Sequence, residues 1–186
     1  MRAMLLEFPA DPGCAYLDRQ YMLGPSLLVA PIFGDDGKVT YYLPPGRWTN
    51  LVSGAPVDGG GWRTETHDYL SLPVLARPGS IIAMGADSER PDYDYADGVT
   101  FHVFEAQDGM ESRATVVTGE GKEAAELTVH RAGRALTLRC VGTSKPWRVC
   151  VRNVSTASAQ GGSVERVPEG SLVVPAKGIQ AVTVTL

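Results

Sequence analysis

The sequence predicts an all-β protein built as two antiparallel β-sandwich units, preceded by one strand and a short helix. Glycine and proline are frequent, at 21 and 13 of 186 residues, and they fall between short β-rich runs as in sandwiches and barrels. Several runs in the second half alternate apolar and polar residues with period two. Only residues 16–23 combine good helix formers with a terminating glycine and proline, at Gly24 and Pro25.

Strand signals dominate the first half of the chain after that helix. Residues 27–33 are nearly all apolar, as expected for a strand buried on both faces. Residues 39–43 and 47–52 flank the turn Pro44-Pro45-Gly46 and predict a hairpin. Residues 69–77 and 81–84 predict two further strands on either side of a Pro-Gly turn.

The second half is separated from the first by an acidic, non-periodic stretch over residues 87–98, which we interpret as a connection. Beyond it, one face of each strand is predicted to point inward. The inward residues are Leu136, Leu138, Cys140, Trp147, Val149, Val151, Val182, Val184 and Leu186, whereas Arg148, Cys150 and Arg152 belong to the wet face. We therefore place one sandwich at residues 25–88, a linker at 89–97 and a second sandwich at 98–186.

Composition excludes several classes of protein. The net charge is -4 and the pI is about 5.4, and scattered Lys and Arg residues do not make the basic surface that nucleic acid requires. The longest apolar run, residues 26–33, is far shorter than the roughly 20 residues of a membrane helix. Residues 1–6 lack a signal-peptide core, and three cysteines form no closed disulfide framework. We expect a cytoplasmic protein that binds neither nucleic acid nor membrane.

Candidate ligands for a metal or cofactor are few. His67, His102 and His130 are far apart and lack zinc-ligand spacing. The segment 92–98 resembles the start of a calcium loop, but Asp97 is one place late and no flanking helices are predicted, so a solvated linker is favoured. The run 119–122 is better explained as a hairpin turn than as a phosphate loop. We assign no catalytic, cofactor-binding or metal residue, and expect no cofactor.

Aromatic residues leave a sugar-binding alternative open. Seven could stack on sugar rings but equally suit a core: Tyr41, Tyr42, Trp48, Trp62, Tyr93, Tyr95 and Trp147. An autonomous carbohydrate-binding module would expose a row of them on one sheet face, and a structural or assembly domain would not.

Ordered motifs between residues 1 and 82 resemble the C-terminal part of glycoside hydrolase family 31. Residues 1–12, with Glu7-Phe8-Pro9 and Asp11, are similar to the last barrel strand of that family, and residues 18–24 to the helix that follows it. Residues 27–32 resemble the strand that leaves the barrel, and residues 43–48 the Leu-Pro-Pro-Gly-Arg-Trp hairpin. Residues 72–82 resemble its Pro-Val and Arg-Pro-Gly-Ser-Ile-Ile segment. The runs 90–93, 101–104 and 107–109 are similar to the α-xylosidase branch.

The resemblance implies a retaining α-glycosidase that hydrolyses terminal α-linked xylose or glucose, with β domains appended to a (β/α)8 barrel. Its nucleophile and acid/base aspartates would precede Met1, and one carboxylate on a barrel strand, Glu7, cannot replace two. A barrel takes about 250 residues. We therefore expect an inactive C-terminal fragment whose partner is the missing barrel.

The resemblance also sets an expectation for residues 1–24, as a remnant of the last barrel strand and helix. Without neighbouring strands we expect this segment to be poorly ordered, or to fold against the first sandwich or a second copy of the chain. Its deletion should then leave both sandwiches folded.

Overall fold

The computed structural model describes residues 1–155 and 158–186 and confirms the all-β class, with 48% strand and 4% helix. The chain divides into two compact units, Met1–Pro78 and Gly79–Leu186. The first unit contains α1 (Met4–Glu7), a 3-10 helix (Pro12–Cys14), β1 (Tyr21–Leu23), β2 (Leu27–Val29), β3 (Lys38–Leu43), β4 (Arg47–Asn50), β5 (Pro56–Asp58), β6 (Gly61–Thr66) and β7 (Val74–Ala76). The second contains β8 (Ile81–Met84), β9 (Val99–Val103), β10 (Glu111–Val117), β11 (Glu123–Ala132), β12 (Ala135–Val141), β13 (Trp147–Arg152), β14 (Ser158–Gln160), β15 (Gly162–Val167), β16 (Gly170–Pro175) and β17 (Ala181–Thr185).

The first unit is a sandwich of unequal layers. One layer is a five-stranded antiparallel sheet in the order β1-β2-β7-β4-β5, and the other is the pair β3-β6. Its core combines Leu28, Leu75 and Trp48 from the larger sheet with Tyr41 and Leu43 from the smaller one. Alternation along β3 produces this packing, since every second side chain points inward.

The predicted hairpin over residues 39–52 is wrong in its pairing, although both strands exist. β3 pairs with β6, whereas β4 pairs with β5 and β7. The turn at Pro44-Pro45-Gly46 carries the chain from one layer to the other, and Trp48 Nε1 closes it by donating to the Pro44 carbonyl at 2.9 Å. Gly46 has φ of 127°, a conformation that favours glycine.

The predicted secondary structure of residues 1–24 is also wrong in detail. Residues 21–23 form a strand instead of the end of a helix, because they pair with β2. Arg2 bridges to Met22, and the helix α1 follows directly where a barrel strand was expected. Met4 and Met22 are fully buried in the first core. Of the three outcomes expected for this segment, it therefore adopts the one in which it folds against the first sandwich.

The second unit is a sandwich of two five-stranded sheets, β10-β11-β12-β17-β14 and β15-β16-β13-β9-β8. Leu127, Leu138 and Val184 from one sheet meet Phe101 and Val149 from the other in a single core. All of the recorded strand pairs are antiparallel except β9 with β13, which run parallel. The predicted inward faces of β12, β13 and β17 are confirmed, because the residues predicted to point inward lie in this core or pack against it.

Two features of the second unit differ from the sequence-based expectation. Residues 81–84, which the sequence assigns to the first sandwich, instead pair with β9 of the second, for example Ile81 with Val103. Cys150 and Arg152, expected on a wet face, are buried. Strand alternation determines only which face a side chain joins, and other parts of the fold determine whether that face meets water. No helix among the described residues is long and apolar enough to cross a membrane.

Candidate docking surface on the first unit

The residues of the Glu-Phe-Pro motif attach the N-terminal segment to the first unit. Glu7 accepts a hydrogen bond from Arg77 Nη1 at 2.6 Å and forms an ion pair with Arg2 at 3.2 Å. The Arg77 guanidinium also lies 4.7 Å from the centre of the Phe8 ring, which in turn packs 6.2 Å from Trp48. Only 14% of the Glu7 side chain is exposed, and a carboxylate held by two cations is suited to fixing a chain segment.

A second attachment joins the same segment to β3. Tyr42 donates its hydroxyl to Asp11 at 3.2 Å, and its ring lies so close to Gly13 that a Cβ there would be 2.4 Å from Tyr42 Cζ. Gln20 bonds both backbone groups of Tyr42, at 2.7 Å each, as a neighbouring strand would. The motif residues of 1–24 therefore hold structure together, a role that the sequence pattern alone did not reveal.

Strand register brings four connecting segments to one end of the larger sheet. β1 begins at Tyr21 beside Val29, the last residue of β2. Val29 lies beside Val74, where β7 begins, and Leu51 donates its backbone N–H to the Val74 carbonyl at 2.8 Å. The segments that precede β1 and β7 and the segments that follow β2 and β4 therefore all lie at the same end of the sheet.

These four segments carry a set of large apolar side chains that face solvent. We call the set the apolar rim: Tyr16, Phe33, Val52, Tyr69, Leu70 and Leu72. Phe33 was predicted to lie in a strand buried on both faces, but β2 ends before it at Val29. Met1, Leu5, Leu6 and Leu23 of the first unit are exposed as well, but they lie outside the rim, in β1 and in the N-terminal segment whose Glu7 bonds Arg77 just after β7. Such a concentration is typical of a surface that another protein or domain covers.

The rim loop of residues 67–72 is held by a network of hydrogen bonds. His67 lies 3.0 Å from Ser71 Oγ through Nδ1 and 3.1 Å from Glu65 through Nε2. Asp68 accepts from the Leu70 backbone and from Ser71, at 3.0 Å each. The bond from the Leu70 amide is the main reason that the pKa of Asp68 is lowered. Side-chain hydrogen bonds thus join the loop to strand β6.

The order serine, histidine and carboxylate in this network superficially matches a nucleophilic triad. The Ser71 hydroxyl also donates to Asp68, an acceptor that is absent from such a triad. A carboxylate that competes for the hydroxyl proton opposes its transfer to the histidine, which activation of a nucleophile requires. Glu65 additionally accepts from the Tyr41 hydroxyl at 2.7 Å. Burial, reinforced by this hydrogen bond, raises the Tyr41 pKa above its usual range. The network can hold a loop in one conformation.

The other residues singled out in the sequence lie apart from one another. No cluster of three metal-ligating side chains occurs within residues 1–155 and 158–186. In the segment 92–98, Asp94 forms an ion pair with Lys145, and Tyr93 packs edge-on against Tyr95 at 5.0 Å. Residues 119–122 form the turn between β10 and β11, where Gly121 bonds back to Thr118.

The candidate sugar-stacking aromatics do not line up on one exposed face. Tyr41, Trp48 and Trp147 are buried in the two cores. Trp62 is 63% exposed and packs edge-on against Tyr42 at 5.7 Å, across the pair β3-β6. One exposed indole is a small platform compared with the row that a carbohydrate-binding module needs.

A pair of basic side chains, buried Arg152 and half-buried His102, lies in the second unit. Arg152 Nη1 is 3.4 Å from His102 Nδ1, and its guanidinium lies 5.5 Å from the centre of the Phe104 ring. Arg152 is 5% exposed, and its Nε has no partner within the described part of the chain. Burial, reinforced by the nearby Arg152 charge, lowers the pKa of His102 to about 4, against a smaller opposing effect of Glu169. His102 is therefore neutral at pH 7 and avoids a second buried positive charge.

We expect the three cysteines to be unreactive in the folded chain. Cys14, Cys140 and Cys150 are all buried and free, and burial raises the pKa of Cys14 and Cys140 to about 11. A shift of that size lowers the thiolate fraction at pH 8 by about 100-fold. Ellman's reagent should detect no fast thiol in native protein and all three after unfolding in guanidinium. A thiol that reacts within seconds in the native state would contradict this.

Comparison with protein families matches both units. Residues 1–82 match the sequence model of the glycosyl hydrolase family 31 C-terminal domain, and residues 94–186 match that of the C-terminal domain of alpha-xylosidase YicI. The two matches together span most of the chain and follow one another in order.

Individual proteins show the same relation. The chain is 41% identical to alpha-xylosidase XylQ of Lactiplantibacillus pentosus over 145 residues, which cover 76% of this chain and 19% of that protein. It is 44% identical to an alpha-xylosidase of Emericella nidulans over 107 residues, covering 53% of this chain and 14% of that protein. An uncharacterized protein of Listeria monocytogenes has the same fold, with a TM-score of 0.83 at 23% identity over 100% of this chain and 20% of its own. The chain thus spans a fifth or less of these relatives.

Proposed function

This chain belongs to glycoside hydrolase family 31, whose C-terminal domains it matches, and we propose that it forms the C-terminal β region of an α-xylosidase. Similarity supports xylosidase over glucosidase. The two α-xylosidases match over 76% and 53% of this chain, whereas the lysosomal α-glucosidase of Rattus norvegicus, although 48% identical, matches over only 27% of it. Residues 94–186 also match the C-terminal domain of an α-xylosidase. The whole enzyme would hydrolyse terminal α-xylosyl residues.

We propose further that this region supports the catalytic barrel and does no chemistry itself. The observation that carries this proposal is the apolar rim, because it gathers exposed side chains such as Phe33 and Leu70 at one end of one sheet. Full burial of each larger side chain would contribute roughly 1.5–3 kcal/mol to the association. Such a surface is favourable only when it is covered.

The carboxylate that matches the family's last barrel strand is not available for catalysis. Glu7 is bonded to Arg77 and Arg2, whereas a retaining glycosidase needs one carboxylate as a nucleophile and a second as an acid about 5 Å away. The implied nucleophile and acid of the family belong to barrel strands that these β domains do not supply. The isolated chain should therefore lack glycosidase activity.

We expect no hydrolysis of aryl α-xylosides by the isolated chain above the uncatalysed rate. A chimaera provides the contrast: in the L. pentosus α-xylosidase, the matched C-terminal region is replaced by this chain. We expect this chimaera to be active. Turnover is measured with a chromogenic α-xyloside, with the truncated relative alone as the control. Activity of the isolated chain that is lost on changing one acidic residue would contradict the proposal, as would an inactive or insoluble chimaera. Micromolar binding of xyloglucan fragments by calorimetry would favour a carbohydrate-binding module.

A further inference from the structure

We propose that Tyr69 and Leu70 are the anchor of the apolar rim, inserted into a pocket of the catalytic barrel and held ready for it by the hydrogen bonds of residues 65–71. This inference rests on the proposed function and names the element that dominates the contact. The network of Glu65, His67, Asp68 and Ser71 would act as a positioning device.

Tyr69 and Leu70, at the tip of the loop, expose almost their whole side chains to solvent. Tyr69 is fully exposed, the highest value in the rim, and Leu70 is 91% exposed, the third highest after Tyr16. Because both side chains are exposed, they do not pack in the core of the first unit. Interfaces concentrate their binding energy in a few such side chains, which fill pockets in the partner.

The residues on either side of the tip are ordered by specific bonds. The Leu70 amide is bonded to Asp68, and His67 joins Ser71 to Glu65 of β6. The backbone of His67 donates to Gly37 at 3.0 Å, and the Pro73 carbonyl accepts from Ala30 at 3.1 Å. Both ends of the loop are therefore fixed to residues that directly precede β3 and follow β2. An interface that uses an already ordered loop avoids the entropy loss of ordering it during association.

The occupant we propose is the catalytic part of the same family 31 enzyme. The matched region is 19% and 14% of the two α-xylosidases, and both matched family models are C-terminal domains, so most of each relative lies outside the region compared. The charged residues near the rim side chains are mainly acidic, with Asp18, Asp35, Asp36 and Asp68 against Arg19. An acidic surround disfavours a polyanion, and the uncharged tip suits an apolar pocket in a protein.

The test compares the same substitutions in two settings, the isolated chain and the chimaera described above. Leu70→Ala and Tyr69→Ala should leave the unfolding temperature of the isolated chain unchanged, since both side chains are exposed there. In the chimaera each should lower the melting temperature and shorten the half-life of activity at 45 °C by about 10-fold or more, as for an interface hot spot. Trp62→Ala is the matched control, because it removes an exposed aromatic away from the rim.

The positioning role has its own readout. His67→Ala and Ser71→Ala should speed amide hydrogen exchange over residues 68–72 in the isolated chain, and should weaken the chimaera less than Leu70→Ala does. Ser71→Thr, which keeps the hydroxyl, should restore slow exchange. Unchanged exchange in both alanine variants would remove the positioning role.

The outcomes separate the two proposals. An active, stable chimaera that tolerates Leu70→Ala as well as it tolerates Trp62→Ala would overturn the anchor and leave the proposed function standing. An inactive wild-type chimaera would contradict the proposed function itself. If sedimentation instead shows that the isolated chain dimerises and that Leu70→Ala abolishes only the dimer, the rim serves a second copy and the anchor proposal is wrong.

Discussion

Deletion of residues 1–24 is expected to unfold the first unit. It removes β1, which pairs with β2, and the fully buried side chains of Met4 and Met22. Losing two such side chains and one strand costs at least about 5 kcal/mol, which is comparable with the whole stability of a small domain. The sequence alone predicted the opposite outcome, because it assigned these residues to a barrel.

The deletion is best followed by two probes at once. Hydrogen exchange should show loss of protection in residues 27–76, while residues 99–152 keep theirs, since the second core contains no residue before Ile81. Arg77→Met tests the same attachment with one side chain, because it removes the hydrogen bond to Glu7 and leaves a carboxylate without its closest partner. We expect Arg77→Met to destabilise the first unit by about 1–3 kcal/mol. Unchanged protection in the deletion variant would show that the segment is dispensable.

The second unit should lose stability in acid because of His102. Its pKa is about 4 in the folded chain, against an ordinary value of 6.5. Between these values the unfolded chain takes up a proton that the folded chain does not, so folding becomes less favourable as pH falls from 6.5 to 4. Above pH 6.5 both states are neutral at this site, and the effect is absent. With allowance for screening by solvent, the loss is about 2 kcal/mol.

Urea unfolding of the second unit at pH 7, 5.5 and 4 measures this loss. His102→Gln cannot titrate, so the difference in unfolding free energy between wild type and variant should shrink or reverse toward pH 4. His130→Gln is the matched control, because His130 is exposed in β11. Parallel pH profiles for wild type and His102→Gln would show that burial beside Arg152 does not shift this histidine.

The sequence by itself determined the class of the fold, the family and the inward faces of the second unit. Alternation places Leu136 and Leu138 on one face of β12 because strand geometry is local. The family motifs are equally local runs, such as Glu7-Phe8-Pro9. For features of this kind no knowledge of distant contacts is needed.

The tertiary structure alone decided which strands pair, what each motif does and which apolar residues meet solvent. The turn at Gly46 could close a hairpin or cross between layers, and Trp48 packing in the core selects the crossing. The sequence places Glu7 on a barrel strand, whereas the structure shows that it binds Arg77, 70 residues away in the chain. Likewise Phe33 and Leu70 have the composition of core residues, and only strand register shows that they leave the sheet at one end, where the first unit offers nothing to cover them.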